Sequence, residues 1–333
     1  MKIVITGAAG FVGRKLAGRI LESESLAVDG ENRPIDRVVL FDIARPAALP
    51  DDGRVEVVTG DITDGALLRR LIAGDGSEPA DLVFHLAAIV SADAEADFEK
   101  GMSVNFDGTR AVLEAARSGG HRPRLVFASS VAVYGGPVIQ ETIEDGTHLA
   151  PQTSYGAQKA MGELMVGEYH RKGFIDGSAL RLPTIVVRAG KPNKAASTFA
   201  SSIMREPLAG SSAVCPVAPS ARMFFMAPRT VVSCFIHAAK LESDALGQER
   251  SLQLAGLTLS MEEMVASLER VAGKTAAERI DWQPDPVIQR IVSGWATDFV
   301  AERAAALGFP EDRDFDQILR DHVEDELGGR IAA

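Results

Sequence analysis

Up to residue 188 the hydrophobic positions gather in short runs, and between the runs they recur at three- and four-residue intervals. The runs Lys2–Thr6, Arg37–Phe41, Val55–Thr59, Leu82–Leu86, Arg124–Ala128 and Ser178–Val187 are largely apolar on both faces. That pattern predicts strands buried from both sides, as in a parallel sheet. The spaced stretches Val12–Glu22, Gly65–Ala73, Asp97–Arg117 and Tyr155–Lys172 predict helices. Strand and helix in alternation, with connections of this length, give right-handed crossovers and so an α/β fold with a doubly wound, Rossmann-type parallel sheet. The polar stretch Ser23–Asp36 interrupts the alternation and reads as a surface-loop insertion.

Beyond Arg188 the texture changes. Residues 189–229 carry many Pro, Ser and Ala with little periodicity, followed by helical spacing at Thr230–Leu241 and Met261–Val271 and a further segment at Trp295–Leu307. This divides the chain into a dinucleotide-binding domain, 1–188, and a smaller irregular α/β substrate domain, 189–229 with 251–333. Residues 230–250 are expected to fold back onto the first domain.

Composition narrows the partners. The 333 residues, 46% hydrophobic and 24% charged, suit a soluble globular protein with a large core. A formal net charge of −11 argues against nucleic acid or an anionic membrane, both of which need a basic face. A small anionic substrate remains open, because a local Arg/Lys cluster outweighs the global field. The two cysteines, Cys215 and Cys234, lack CxxC spacing and read as buried reduced thiols, with no metal expected. Met1-Lys2 leads directly into Ile3-Val4-Ile5, which leaves no room for a signal peptide, and no apolar run reaches the length of a membrane span. A reducing cytoplasm is the expected compartment.

The chemistry starts at the first strand. Thr6-Gly7-Ala8-Ala9-Gly10-Phe11-Val12-Gly13 leaves a strand and opens a helix. Gly7 suits a tight turn, Gly10 a close backbone approach to a pyrophosphate, and Gly13 close packing of helix on strand, with the phosphates on free helix N–H groups. Asp42, at the end of the second strand, is placed to accept from ribose hydroxyls and repel a 2′-phosphate, which favours NAD over NADP. Asp61-Ile62 ends the third strand, where a carboxylate reaches an adenine amino group, and Leu86-Ala87-Ala88 ends the fourth with small residues.

Tyr155 and Lys159, four apart on one helix, share a face. Oxidising an alcohol needs a base, and a phenol serves once its pKa falls from about 10. A neighbouring ammonium favours phenolate, so Lys159 is expected to lower the Tyr155 pKa and to hold the nicotinamide ribose. The fifth strand ends at Ser129-Ser130, whose hydroxyl suits a substrate oxygen.

Together the glycine opening, Asp42, Asp61-Ile62, Ala87-Ala88, Ser130 four before Tyr134, and Tyr155-x-x-x-Lys159 resemble the extended short-chain dehydrogenase/reductases. The resemblance spans essentially the whole chain. It implies Ser130, Tyr155 and Lys159 as catalytic residues, and contacts to the cofactor from Ala9, Phe11, Val12, Asn105 and Leu182-Pro183. It also implies a homodimer through helices matching 98–117 and 155–171.

Nucleotide-sugar epimerases of that family have Arg-x-x-Asn after the sixth strand, whereas here Arg181-Leu182-Pro183 is followed by Thr184. A later epimerase pattern, with two Asp, becomes Arg222-Met223-Phe224-Phe225-Met226 without them. Arg188, Lys191, Asn193 and Lys194, with Arg222 and Arg229, instead offer groups suited to one small carboxylate. Thr184, Arg188, Asn193 and Arg222 are therefore the candidate substrate contacts beside Ser130 and Tyr155. Residues 182–188, 190–197 and 215–219 resemble a branch that oxidises a small sugar acid at its C2 hydroxyl with NAD. Two other readings stay open: a nucleotide-sugar 4-epimerase or dehydratase, and a non-catalytic dinucleotide-sensing protein.

Overall fold

The computed structural model describes residues 1–47, 51–140, 142–190 and 196–332. Strand β1 (Lys2–Thr6) is followed by β2 (Ser25–Val28), β3 (Glu31–Pro34), β4 (Arg37–Asp42), β5 (Val55–Thr59), β6 (Leu82–His85), β7 (Arg124–Ser130) and β8 (Asp176–Leu182). Shorter strands come later: β9 (Thr184–Ile185), β10 (Ala213–Cys215), β11 (Arg222–Met226), β12 (Ser251–Gln253), β13 (Leu257–Ser260) and β14 (Ile280–Trp282).

One sheet of seven parallel strands runs β12-β8-β7-β6-β1-β4-β5. The chain direction of that order reverses between β1 and β6, so the carboxyl ends on either side of the switch form a crevice. Uninterrupted apolar strands follow from the two-sided packing. Ile3 and Ile5 point into a core with Leu16, Ile20 and Phe235 from the helices Phe11–Leu21 and Pro228–Lys240. Val4 points the other way, into a core with Val112 and Leu113 of the helix Gly108–Gly119 and Val166 of the helix Ser154–Arg171. Each such side chain removed from water contributes about 2 kcal/mol. A separate core holds Phe199, Ile203, Met223, Phe225, Met264, Leu268, Phe315 and Leu319.

Several elements depart from the sequence pattern. Ser23–Asp36 is not a loop: β2 and β3 pair as an antiparallel hairpin whose turn, Asp29-Gly30, donates to the carbonyls of Ala239 and Lys240. The run 178–187 is broken at Pro183, which lacks the N–H a central strand needs. Residues Thr184–Ile185 then leave the large sheet and join β11 and β13 in a second one. The stretch 97–117 is helical from Phe98, where the Asp97 carboxylate accepts from the Lys100 N–H at 3.0 Å, but it widens to a π-helix over Met102–Asp107 before the α-helix Gly108–Gly119. Residues Thr198–Leu208 form a helix inside the segment that showed little periodicity, and Phe315–Leu327 forms another. Residues 251–253 pair with β8, and Ala304 and Phe309 lie in the first core, so part of the stretch expected in the substrate domain builds the large sheet's side. Of Trp295–Leu307, only Glu302–Ala306 is helical.

Candidate active site

The carboxyl ends of β1, β6, β7 and β8 open into a cavity of about 400 Å³. Gly7, Gly10, Phe11, Val12 and Gly13 form one wall, with Leu86 and Ala88 beside them. Gly7 has φ +73°, a left-handed conformation open to glycine. A Cβ on Gly13 would stand 2.2 Å from the Gly7 carbonyl oxygen, so any larger residue would push the helix off the turn. No side chain caps the helix Phe11–Leu21, which starts from Gly10. Its first N–H groups and the bare glycine backbone therefore fit a dinucleotide phosphate.

Asp42 is tied to that turn. Its Oδ2 accepts from the Ala9 N–H at 2.9 Å and its Oδ1 from the Ala44 N–H at 3.2 Å. The Asp61 carboxylate accepts from the Thr63 N–H and hydroxyl at 2.9 and 2.8 Å, which hold its pKa below the usual carboxylate range. Ile62 packs beneath Gly108, and Ala87 lies against Gly7. Asn105 is buried and clamps the loop after β6, accepting from the Ile89 N–H at 2.9 Å and donating to the Ile89 carbonyl at 3.3 Å. Ile89 lines the cavity, whereas Ala9, Asp42, Asp61, Ile62, Ala87 and Asn105 stand behind or beyond its wall.

Ser130, Tyr155 and Lys159 meet at the opposite wall. The Thr153 hydroxyl starts their helix by accepting from the Gly156 N–H at 3.1 Å, which brings Tyr155 in at the first turn. Ser130 Oγ accepts from the Ala132 N–H at 3.1 Å and is hydrogen-bonded to the Tyr155 phenol. Lys159 Nζ donates to the Ala128 carbonyl at 2.7 Å and lies 4.7 Å from the Phe127 ring and 5.6 Å from the Tyr155 ring.

The electrostatics correct one expectation. Burial raises the Tyr155 pKa, and the groups opposing that rise are the Ser130 hydroxyl and the Arg188 guanidinium. Lys159 is turned toward a carbonyl, and its own pKa falls to about 7 through burial, with Glu163 acting in the other direction. The cation that favours phenolate in this geometry is therefore Arg188. Its backbone is held between Ser201 Oγ and Arg205, and among the described residues no carboxylate is paired with its guanidinium.

Leu182, Pro183, Thr184 and Arg188 line the cavity as the sequence suggested. Arg222 does not: it is exposed at the first position of β11, facing Ser260 in register and influencing Glu263. Arg229 is consumed by Asp321, Glu324 and Asp325 at 2.8, 2.7 and 2.5 Å. Lys191, Asn193 and Lys194 lie outside the described residues.

Sequence reasoning missed the far wall. Gln152, Thr153, Ser197, Met223, Phe224 and Trp295 close the cavity. Trp295 sits on a strap held down by Ile143, whose N–H donates to Asp298 and whose carbonyl accepts from Val300, both at 2.8 Å. Phe299 of the strap stacks on Phe224, centroids 4.2 Å apart. A tryptophan between Gly294 and Ala296 was the available signal, but nothing local tied it to residue 155.

Comparison with known proteins agrees with this architecture. The family model described as the NAD dependent epimerase/dehydratase family matches residues 3–246. A D-erythronate dehydrogenase from Cupriavidus necator is 48% identical over 98% of this chain and 98% of its own length. A second, from Haemophilus influenzae, is 42% identical over 98% of this chain and 100% of its own. The crystal structure of a nucleoside-diphosphate-sugar epimerase from Agrobacterium tumefaciens superposes with a TM-score of 0.93 at 42% identity, covering 100% of this chain and 96% of that one. On these matches the chain belongs to the NAD-dependent epimerase/dehydratase family, and its cofactor is NAD.

Proposed function

We propose that this enzyme oxidises D-erythronate at its C2 hydroxyl to 2-dehydro-D-erythronate. The observation that carries the reading is the phenol of Tyr155, hydrogen-bonded to Ser130 and in the field of the Arg188 guanidinium, with all three residues lining one cavity. A carboxylate held by Arg188 places the hydroxyl on the adjacent carbon within reach of the phenol, which is the geometry of a 2-hydroxy acid. Bound NAD supplies the hydride acceptor. Ser130 orients the substrate oxygen, and Tyr155, as phenolate, takes its proton. Lys159 holds the ribose of the cofactor, with Asp42 at the adenosine end. Thr184, in place of the epimerases' Asn, lines the substrate side.

The protein acts as a homodimer in the cytoplasm on this reading. Phe98 and Leu164, 58% and 70% exposed, project from the segment 98–101 and the helix 154–171, the surface through which members of the family associate. Among the described residues no helix is long and apolar enough to cross a membrane.

Incubation with NAD and a panel of four-carbon aldonic acids, followed by NADH absorbance, tests the activity. Net NADH from D-erythronate is expected. The Agrobacterium structure supports a second reading, a nucleotide-sugar epimerase. Interconversion of a nucleoside diphosphate sugar without net NADH would establish that reading and refute ours.

A further inference from the structure

Below the Ser130–Tyr155–Lys159 wall lies a buried ionic cluster that the proposed chemistry leaves without a task. Glu163, one turn beyond Lys159, is 4% exposed. Its carboxylate accepts from Ser129 Oγ at 2.5 Å, from Arg181 Nε at 3.1 Å and from Arg181 Nη2 at 2.7 Å. Arg181 also donates through Nη1 to the Tyr134 hydroxyl at 2.7 Å, with its guanidinium 5.4 Å from that ring. The cluster ties the end of β7, the turn after it, the catalytic helix and the end of β8 to one another. Each tie sits next to the cavity: Ser129 precedes Ser130, Tyr134 itself lines the wall, and Arg181 precedes Leu182-Pro183.

Stability alone is a weak reason for such a group, because a buried ion pair is often no better than apolar residues of equal volume. Its placement argues for electrostatics. Lys159 has a carbonyl as its hydrogen-bond partner, and Glu163 is the anion that favours its charge. The other groups around Lys159 are neutral or cationic. His85, from β6, is kept uncharged by burial, which lowers its pKa to about 3. Phe127 faces it from β7 and Tyr155 from its own helix, while Ser129 and Arg181 are bonded to Glu163.

We propose that Glu163, clamped by Arg181, is a positioning residue that keeps Lys159 in its ammonium form and fixes the Ser129–Ser130 strand end against the catalytic helix. The proposal rests on the Tyr155/Lys159 reading above. The ammonium is lost as pH rises through the lysine pKa. Removing the nearby anion moves that loss to lower pH, and removing the cation that pairs with it does the same, because a buried charge left unpaired is disfavoured.

The test compares E163Q with R181Q in the full-length enzyme. The pH profile of kcat/KM is measured alongside the pH dependence of NADH affinity, followed by nicotinamide fluorescence. For E163Q the alkaline limb is expected to move down by about one pH unit, and for R181Q, which leaves the buried carboxylate without its cation, to move the same way. A purely structural cluster would move neither limb, and that result overturns the proposal. If one variant fails to fold, the direction shown by the other decides. If D-erythronate is the wrong substrate, the wild type gives no NADH while the NADH-binding profiles still decide the role of Glu163.

Discussion

In the glycine-turn half of the molecule, the groups that shape the cavity stand within a few residues of a strand end. In the closing half, the wall is assembled from Thr153, Arg188, Met223 and Trp295, which are distant in sequence and brought together by two sheets and a strap. The first kind of wall depends on backbone: Gly7 and Gly13 act by having no side chain, and Asp42 acts by holding the turn. The second depends on side chains, and charge there is decided by who else is near. Arg188, Arg222 and Arg229 look alike in sequence, yet one faces the phenol, one faces solvent and one is locked in a carboxylate cluster. Where backbone geometry carries the site, position in the chain is enough; where charge carries it, the neighbours decide.

Removing the phenol from the Ser130–Tyr155–Lys159 wall should produce the largest effect. Tyr155→Phe is expected to lower turnover about 1,000-fold, in the range of a lost general acid/base, with NAD affinity nearly unchanged by calorimetry. Near-normal turnover would detach the proton transfer from this helix.

Next comes the pair that sets the arginines apart. Arg188→Leu is expected to reduce kcat/KM for the acid roughly 10- to 100-fold, the worth of a charge-assisted contact. Arg222→Leu should stay within about twofold, as exposed substitutions away from the site usually do. Steady-state kinetics on both variants reads the contrast directly, and equal losses would erase it.

The smallest effect belongs to the dinucleotide half. His85 lies buried between the hydroxyls of Thr6 and Thr109 at 2.7 and 2.9 Å, and its pKa falls from 6.5 to about 3. Between those values the unfolded chain binds the extra proton, so the stability due to neutral His85 is present above pH 6.5 and is lost as pH falls. Denaturant melts of His85→Asn should show a pH dependence shallower by up to about 1.4 kcal/mol per pH unit in that window. An unchanged slope would contradict this.

Much of the scaffold was legible. The strands β1, β4, β6 and β7 lie where apolar runs place them, because a strand covered on both faces must be apolar on both faces, and the half-buried edge strand β5 lies where the run interrupted by Glu56 places it. The Ser, Tyr and Lys converge because each stands at a strand end or helix start that the crevice collects. The β2–β3 hairpin was hidden by its polar edges, although Asp29-Gly30 is a strong short-range hairpin signal. The helix Thr198–Leu208 was masked by its Ser-rich neighbourhood and by Pro207, even though Phe199, Ile203, Met204 and Leu208 keep helical spacing.

From residue order alone came the alternation of strand and helix, the bare glycine turn and the spacing of Tyr155 and Lys159, since these depend on neighbours along the chain. Tertiary structure decided which arginine acts on the phenol, that Lys159 donates to the Ala128 carbonyl, and that Trp295 closes the cavity. Those outcomes hang on burial and on groups tens of residues apart, and desolvation and Coulomb interactions act through space rather than along the backbone.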